Sequence, residues 1–504
     1  MVAALVGAAC GSGSQSSKSA GGGTAGAGAE TSQAGTGGAA AGGGASGSGG
    51  SAANGGMAGA PGEIDVSCRE HTTNHRAGSE IGLRERVTAE GDRAFIGYYD
   101  KARGTECNFV RDAEGVMRCF PPVRSQGDAR FYLNADCSQA VAYRGICSLD
   151  HFTIPASDES CNDRYRVYSF GAPVADGMVW ERNIAGECVE HGQINNLHQL
   201  GEELVAADYP AVSETTWSGA GRIARSGFEG PGGLRVVRDF RDTELDESCA
   251  ISTLADGKRY CAPFRLGSFE LTDETCQETL LSTRSVCGGP VAKFGSGAAQ
   301  SCLGSAYVER DQPFTGALSL RGSCQPATAE QTEGAQVFSV KSVPPERFVE
   351  MTLVVEESDP GRLKPTYNTS ADGACWFQGW YDAEHDVACE FALTTDGSHR
   401  CVPRERPLTR AYTDASCTVP VAYYVACSAE VAPKLVSVIV DQDCTETTVE
   451  VRPLVASLEG AALPPLWTAS GAGCQVFTPS PASTYHQFGD PLPPETFMEA
   501  VAEL

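Results

Sequence analysis

At 504 residues and 41% hydrophobic content, the chain can hold three ordinary domains or one large β body, and wholesale disorder is excluded. Its 64 acidic and 38 basic residues leave a formal charge of −26, which repels nucleic acid and anionic lipid and excludes non-specific DNA or RNA binding. The 21 cysteines are spread along the chain with no CxxC pair, which excludes zinc-ribbon sites and points to disulfides in an oxidising, exported setting.

The chain opens MVAALVGAAC, an apolar run ending in small residues before Cys10. Residues 1–10 resemble the tail of a bacterial lipoprotein signal, in which Cys10 takes the lipid and ties the protein to a bilayer at the cell surface, outer membrane or periplasm. Gly7 stands where such signals usually carry Leu, and no basic residue precedes the run; a start codon placed too far downstream would account for its shortness. Residues 11–62 are almost entirely Gly, Ala, Ser and Thr, too apolar-poor to offset their ordering entropy. They read as a disordered tether with a reach of roughly 40 Å. No run of 18 apolar residues suggests a transmembrane helix.

The remainder divides into three repeats, at 63–217, 218–355 and 356–504. Three ribbons align without gaps: GYYDKARGTECNFVRDAEGVMRCFP from Gly97, DFRDTELDESCAISTLADGKRYCAP from Asp239, and GWYDAEHDVACEFALTTDGSHRCVP from Gly379. Each has an aromatic (Tyr98, Phe240, Trp380) two residues before an Asp (Asp100, Asp242, Asp382). Each also has a Gly (Gly115, Gly257, Gly397) four before its second Cys and a Pro (Pro121, Pro263, Pro403) two after it. Alternating apolar and polar residues between the cysteines predict two strands, and the acid–Gly step supplies a tight turn. With the turn midway, Cys107–Cys119, Cys249–Cys261 and Cys389–Cys401 should fall opposite one another and pair.

Four further cysteines follow in each copy: Cys137, Cys147, Cys161 and Cys188; Cys276, Cys287, Cys302 and Cys324; Cys417, Cys427, Cys444 and Cys474. Neighbour pairing, third with fourth and fifth with sixth, is the expectation. Cys68 and Cys375 are left to pair with each other.

About eight β-like runs per repeat, with little helical periodicity, predict an all-β fold. Two four-stranded blades per repeat would make a closed six-bladed propeller; three separate sandwich or barrel modules are the alternative. The segment VPPERFVE (343–350) leads into a strand before copy three, and LPPETFME (492–499) recurs near the C-terminus. Copy one lacks such a strand in front, so the C-terminal segment is expected to pair with its first strand and close a ring.

Little in this pattern is catalytic. Asp100, Asp242 and Asp382, and Glu114, Asp256 and Asp396, recur threefold, which suits turn capping better than calcium or carbohydrate contacts, and no metal site is assigned. HTTNH (71–75) has helical metal spacing outside any helix, and His191 and His198 read as surface residues. SADGACW (370–376) matches a sialidase Asp-box only loosely. No GxSxG, HExxH, phosphate loop or dinucleotide fingerprint occurs, so no catalytic residue and no cofactor are assigned. In the aromatic pairs the first residue reads as core and the second as surface, which leaves Tyr99 and Tyr381 as weak binding candidates.

With its lipid-attachment Cys, Gly/Ala/Ser tether and recurring RLKPTYNTSADG…GWYD…C…DG..RC.P motif, the chain resembles uncharacterised Cys-rich repeat lipoproteins of the myxobacterial type from Cys10 to Leu504. That resemblance implies surface localisation and no particular activity. Repetition without a unique constellation points to a monomeric, non-catalytic binding or adhesion protein for a glycan or another protein. An extracellular polysaccharide hydrolase or lyase is the alternative.

Overall fold

The computed structural model describes residues 75–503, except 125–130, 145–148, 157–163, 176, 183–186, 218–220, 265–270, 284–290, 295–305, 322, 333–334, 358–359, 426–432, 443–445, 459–462, 471–472 and 480–482. Cys10, Cys68, Cys147, Cys161, Cys287, Cys302, Cys427 and Cys444, with the tether, lie outside the described residues. The described chain is all-β; among these residues the only α-helix is one turn at Ala329–Thr332.

Each repeat contributes five strands to one antiparallel ladder. Repeat one supplies β1 (Ile81–Thr88), β2 (Arg93–Asp100), β3 (Thr105–Arg111), β4 (Met117–Phe120) and β5 (Ala211–Trp217). Repeat two supplies β6 (Ile223–Gly230), β7 (Leu234–Asp242), β8 (Glu247–Thr253), β9 (Arg259–Pro263) and β10 (Val349–Val355). Repeat three supplies β11 (Leu363–Thr369), β12 (Cys375–Asp382), β13 (Val387–Thr394), β14 (His399–Pro403) and β15 (Glu499–Glu503).

The fifth strand of each set belongs to two repeats. β5 pairs with β4 at Ala211–Val212 and with β6 further along. β10 bridges β9 and β11 in the same way. β15 pairs with β14 and then with β1, where Ala500 faces Thr88 and Glu503 faces Glu85. The expected pairing of the C-terminal strand with copy one is therefore present. The alternative of three separate modules fails, because backbone hydrogen bonds of one repeat are completed by the next.

Turn contacts repeat the order of the junctions. Asp372 Oδ2, in the β11–β12 turn, accepts the Arg222 N–H at 2.7 Å. Glu90 Oε2, in the β1–β2 turn, accepts that of Arg362 at 3.1 Å. Pro231 O, in the β6–β7 turn, accepts that of Ser79 at 3.2 Å. Cores cross the junctions too. Phe228, Leu234 and Val236 of repeat two pack among Ile81, Cys107 and Cys119 of repeat one, and Trp376 of repeat three stacks on Phe240 of repeat two at 4.3 Å.

The stapled hairpins are present, with a corrected register. Asp112, Leu254 and Thr394 each bond across a three-residue loop to Val116, Lys258 and Ser398. The last loop residue is Gly115, Gly257 or Gly397, at φ +87°, +78° and +81°. Such loops need a left-handed final residue, and glycine adopts that conformation without Cβ strain. This loop places five residues before it on the first Cys and three after it on the second. The cysteines are therefore diagonal rather than directly opposite: Cys249 faces Pro263 while Ile251 faces Cys261. Sheet twist shortens that diagonal, and the Cα–Cα distances are 5.2, 5.2 and 5.3 Å.

Neighbour pairing of the later cysteines is overturned. The third pairs with the sixth: Cys137–Cys188, Cys276–Cys324 and Cys417–Cys474. These bridges lie among the strands that each repeat inserts between its fourth and fifth ladder strands: one eight-stranded sheet in repeat one, a two-stranded and a four-stranded sheet in repeat two, and in repeat three strands that join the ladder's own sheet where Leu393 faces Thr448. Sheet order explains the pairing. In repeat one, Phe131–Tyr132 pairs with Gly177–Arg182, whose Arg182 faces Cys188, so the loop holding Cys137 lands beside Cys188. In repeat three, Tyr412 faces Trp467, and Ala469 faces Cys474, with the same result. Cys375 is also disulfide-bonded, to a cysteine outside the described residues.

Candidate functional site

The recurrent aspartates are buried clamps. Asp242 and Asp382 are fully buried and Asp100 almost so. In each case one carboxylate oxygen accepts the N–H groups two and three residues on, at 3.0–3.4 Å, which caps the turn to the next strand. A guanidinium then satisfies the carboxylate. Arg222 binds Asp242 through two bonds of 2.7 Å, and Arg362 binds Asp382 at 3.0 and 2.7 Å. The same guanidiniums donate to Arg347 O and Thr496 O, both at 2.7 Å, and so fasten the two PPE segments to the ladder. Repeat one has Glu80 where the others carry this arginine. Arg103, from the turn itself, takes over, reaching Asp100 at 2.9 Å and Asp208 O at 2.6 Å. Asp208 thereby marks a third, unrecognised PPE-like segment, LVAADYPA (204–211).

Tyr99 and Tyr381 occupy matching places beside these turns. The Tyr381 hydroxyl donates to Asp386, which pushes its pKa up to about 12, and Arg241 holds Asp246 at the same place in repeat two. Tyr381 thus braces a turn. Phe240 and Trp380 are core residues. His75 is buried against Phe95 and Tyr98, and burial lowers its pKa to about 4. His191 lies 3.2 Å from Glu181, whereas His198 contacts Gly171 O at 3.0 Å, so the two histidines have separate partners.

The second recurrent acid behaves differently in repeat one. Asp256 accepts the Tyr260 hydroxyl at 2.6 Å, and Asp396 binds Arg400 at 2.8 and 3.0 Å. In repeat one that bracing task passes to Asp112, which binds Arg118 at 2.6 Å. Glu114 is left exposed at the turn.

Glu114 lies on the rim of a cleft of about 360 Å³ between the β3–β4 turn and the inserted sheet. Phe120 and Val167 are its buried lining, Tyr165, Arg166 and Glu203 to Ala206 come side by side from the inserted sheet, and Asp112 to Glu114 come from the turn. Glu203 accepts the Tyr168 hydroxyl at 2.9 Å and lies 3.3 Å from Arg166. Repeat three has a smaller cleft of about 230 Å³ at the matching place, lined by Thr394, Thr395, Val449 to Val451 and the PPE segment. In repeat two, Leu254 replaces Asp112 and Thr394, and packs with Tyr260, Tyr307, Val343 and Phe348 in a continuous core. One structural position is thus open and charged, open and nearly neutral, or filled. Chemically, the first cleft offers an apolar floor edged by carboxylates, a guanidinium and a phenol.

Reasoning from the sequence assigned Glu114 to turn capping and missed Tyr165, Arg166 and Glu203. Their signal is divergence: the repeat-three cleft has Val449, Glu450 and Pro491 in this part of its lining.

Residues 222–448 match the model of a family of unknown function (DUF7481). The match starts at the arginine that clamps Asp242 and takes in repeat two, the Arg362–Asp382 clamp and the third stapled hairpin. No curated protein and no solved structure matches the chain. The disulfides are consistent with an extracellular or periplasmic location.

Proposed function

We propose that this protein is an exported, lipid-anchored surface protein that binds a glycan without turning it over, and that the repeat-one cleft is its principal binding site. The observation carrying this reading is the cleft's contrast with its counterparts: it is the larger of the two open ones, and its recurrent acid is released from bracing duty. A pyranose presents apolar C–H faces edged by hydroxyl groups. An aromatic and aliphatic floor ringed by carboxylate and guanidinium groups complements it. The body carrying the site is read as a closed propeller-like ring in which each repeat supplies five ladder strands and its own inserted strands. The three equivalent junctions and the β15–β1 pairing support that reading.

The test is a glycan array, followed by titration of the best ligand into the full chain. Glu114→Gln and Arg166→Ala should each weaken binding about tenfold, the effect of one lost charge-assisted hydrogen bond. Glu114 and Glu203 in one cleft also meet the minimum requirement of a glycosidase, so the same ligands are incubated and analysed for cleavage. Turnover abolished by Glu114→Gln would replace the binding reading with the hydrolase one. For the anchor, radiolabelled palmitate should enter the expressed protein and be lost in Cys10→Ala, with the protein moving to the soluble fraction. Unchanged fractionation would remove the anchor.

A further inference from the structure

Repeat two, whose cleft is filled, carries a different exposed chemistry. On one face of β5–β7, Trp217 lies opposite Arg225, and Arg235 lies opposite both Glu229 and Arg76. Residues directly opposite in an antiparallel pair project from the same face. The Arg235 guanidinium sits 4.3 Å from the Trp217 ring centroid, and Trp217 Nε1 donates to Glu229 at 2.6 Å. Among the described residues three arginines therefore share a face with one glutamate, in a chain of net charge −26. Arg225 and Arg235 are half-buried, and the Arg235 Nε is buried without a hydrogen-bond partner. Burial first, and repulsion from Arg235 second, lower the pKa of Arg225. The arrangement is specific to repeat two: repeat one has Leu83, Val87 and Arg93 at the positions of Arg225, Glu229 and Arg235, and repeat three has Pro365, Thr369 and Cys375.

A half-buried guanidinium with an unmet donor, as at Arg235, is costly alone and favourable beside an anion. We propose that this face binds the carboxylate groups of an acidic glycan, with Arg225 and Arg235 holding the anion and Trp217 presenting an aromatic edge beside it. A carboxylate on a sugar ring can reach arginines recessed in a sheet face, whereas a flat anionic bilayer reaches only exposed cations. The site stands independently of the repeat-one cleft.

Titration of trigalacturonate into the full chain tests it, with cellotriose as the neutral control and phosphatidylglycerol vesicles as the lipid control. Trigalacturonate should bind, and added salt should weaken it. Arg235→Gln should reduce affinity about tenfold or more. Glu229→Gln should tighten it, because the competing carboxylate is gone; a gain of affinity cannot come from misfolding. No binding by the wild-type chain, or affinity indifferent to both Arg235→Gln and Glu229→Gln, would overturn the proposal. So would vesicle binding sensitive to Arg235→Gln without trigalacturonate binding, which would make the face a lipid-headgroup site.

Discussion

Replacing Asp382 with alanine is expected to lower stability by about 3 kcal/mol or more, because it takes the buried carboxylate from the mostly buried Arg362 guanidinium and leaves the exposed Glu384 in its place. It also uncaps the Glu384 and His385 N–H groups and frees the PPE segment held through Thr496 O. Asp100→Ala should cost less, about 1–2 kcal/mol, since its partner Arg103 is 33% exposed and can be rehydrated. Urea denaturation followed by tryptophan fluorescence measures both, and equal losses would sink the argument from burial. The clamp also has a pH signature. Burial by itself would raise the Asp382 pKa, but hydrogen bonds and charge from Arg362 and His385 outweigh it and hold the carboxyl below its ordinary value. A depressed folded-state pKa contributes stability that is complete above about pH 4 and is lost as pH falls through the lower folded value. The stability gap between wild type and Asp382→Ala should therefore narrow as pH falls below about 4.

Removing the Cys417–Cys474 bridge with paired alanines should cost about 4 kcal/mol, against about 3 for the chain-entropy part of Cys389–Cys401, because loop-closure entropy grows with the residues enclosed. The two bridges span 57 and 12 residues respectively. Access runs the same way: Cys389 and Cys401 are buried in the repeat-three core, while Cys417 and Cys474 are half-buried. Mild reduction should open Cys417–Cys474 first, since exchange needs a thiolate to reach the sulfur. Timed alkylation with peptide mapping reads the order, and prior loss of Cys389–Cys401 would contradict it.

The stapled ribbons were legible because every determinant is local. An alternating pattern, a glycine forced to positive φ and two cysteines a fixed distance from the turn specify a hairpin without reference to the rest of the chain. The recurrence of VPPERFVE and LPPETFME was equally legible, since a strand that appears once too often at one end and once too few at the other has an obvious partner. Even the capping role of Asp100, Asp242 and Asp382 follows from an acid at a turn.

The tertiary structure decided what depends on sheet order. Cys137 is nearer Cys147 in sequence than Cys188, but strand pairing in the inserted sheet places it beside Cys188, and spacing carries no information about that choice. The same holds for the cleft. Glu114, Tyr165 and Glu203 come from segments far apart in the chain, and only the packing of the inserted sheet against the β3–β4 turn makes them neighbours. What the sequence determined by itself is the repeating hairpin unit, whose turns and covalent staples are set within about 25 residues. What only the tertiary structure decided is which bridges close the inserted sheets and which copy keeps an open cleft, because those depend on contacts between segments that local preference leaves unspecified.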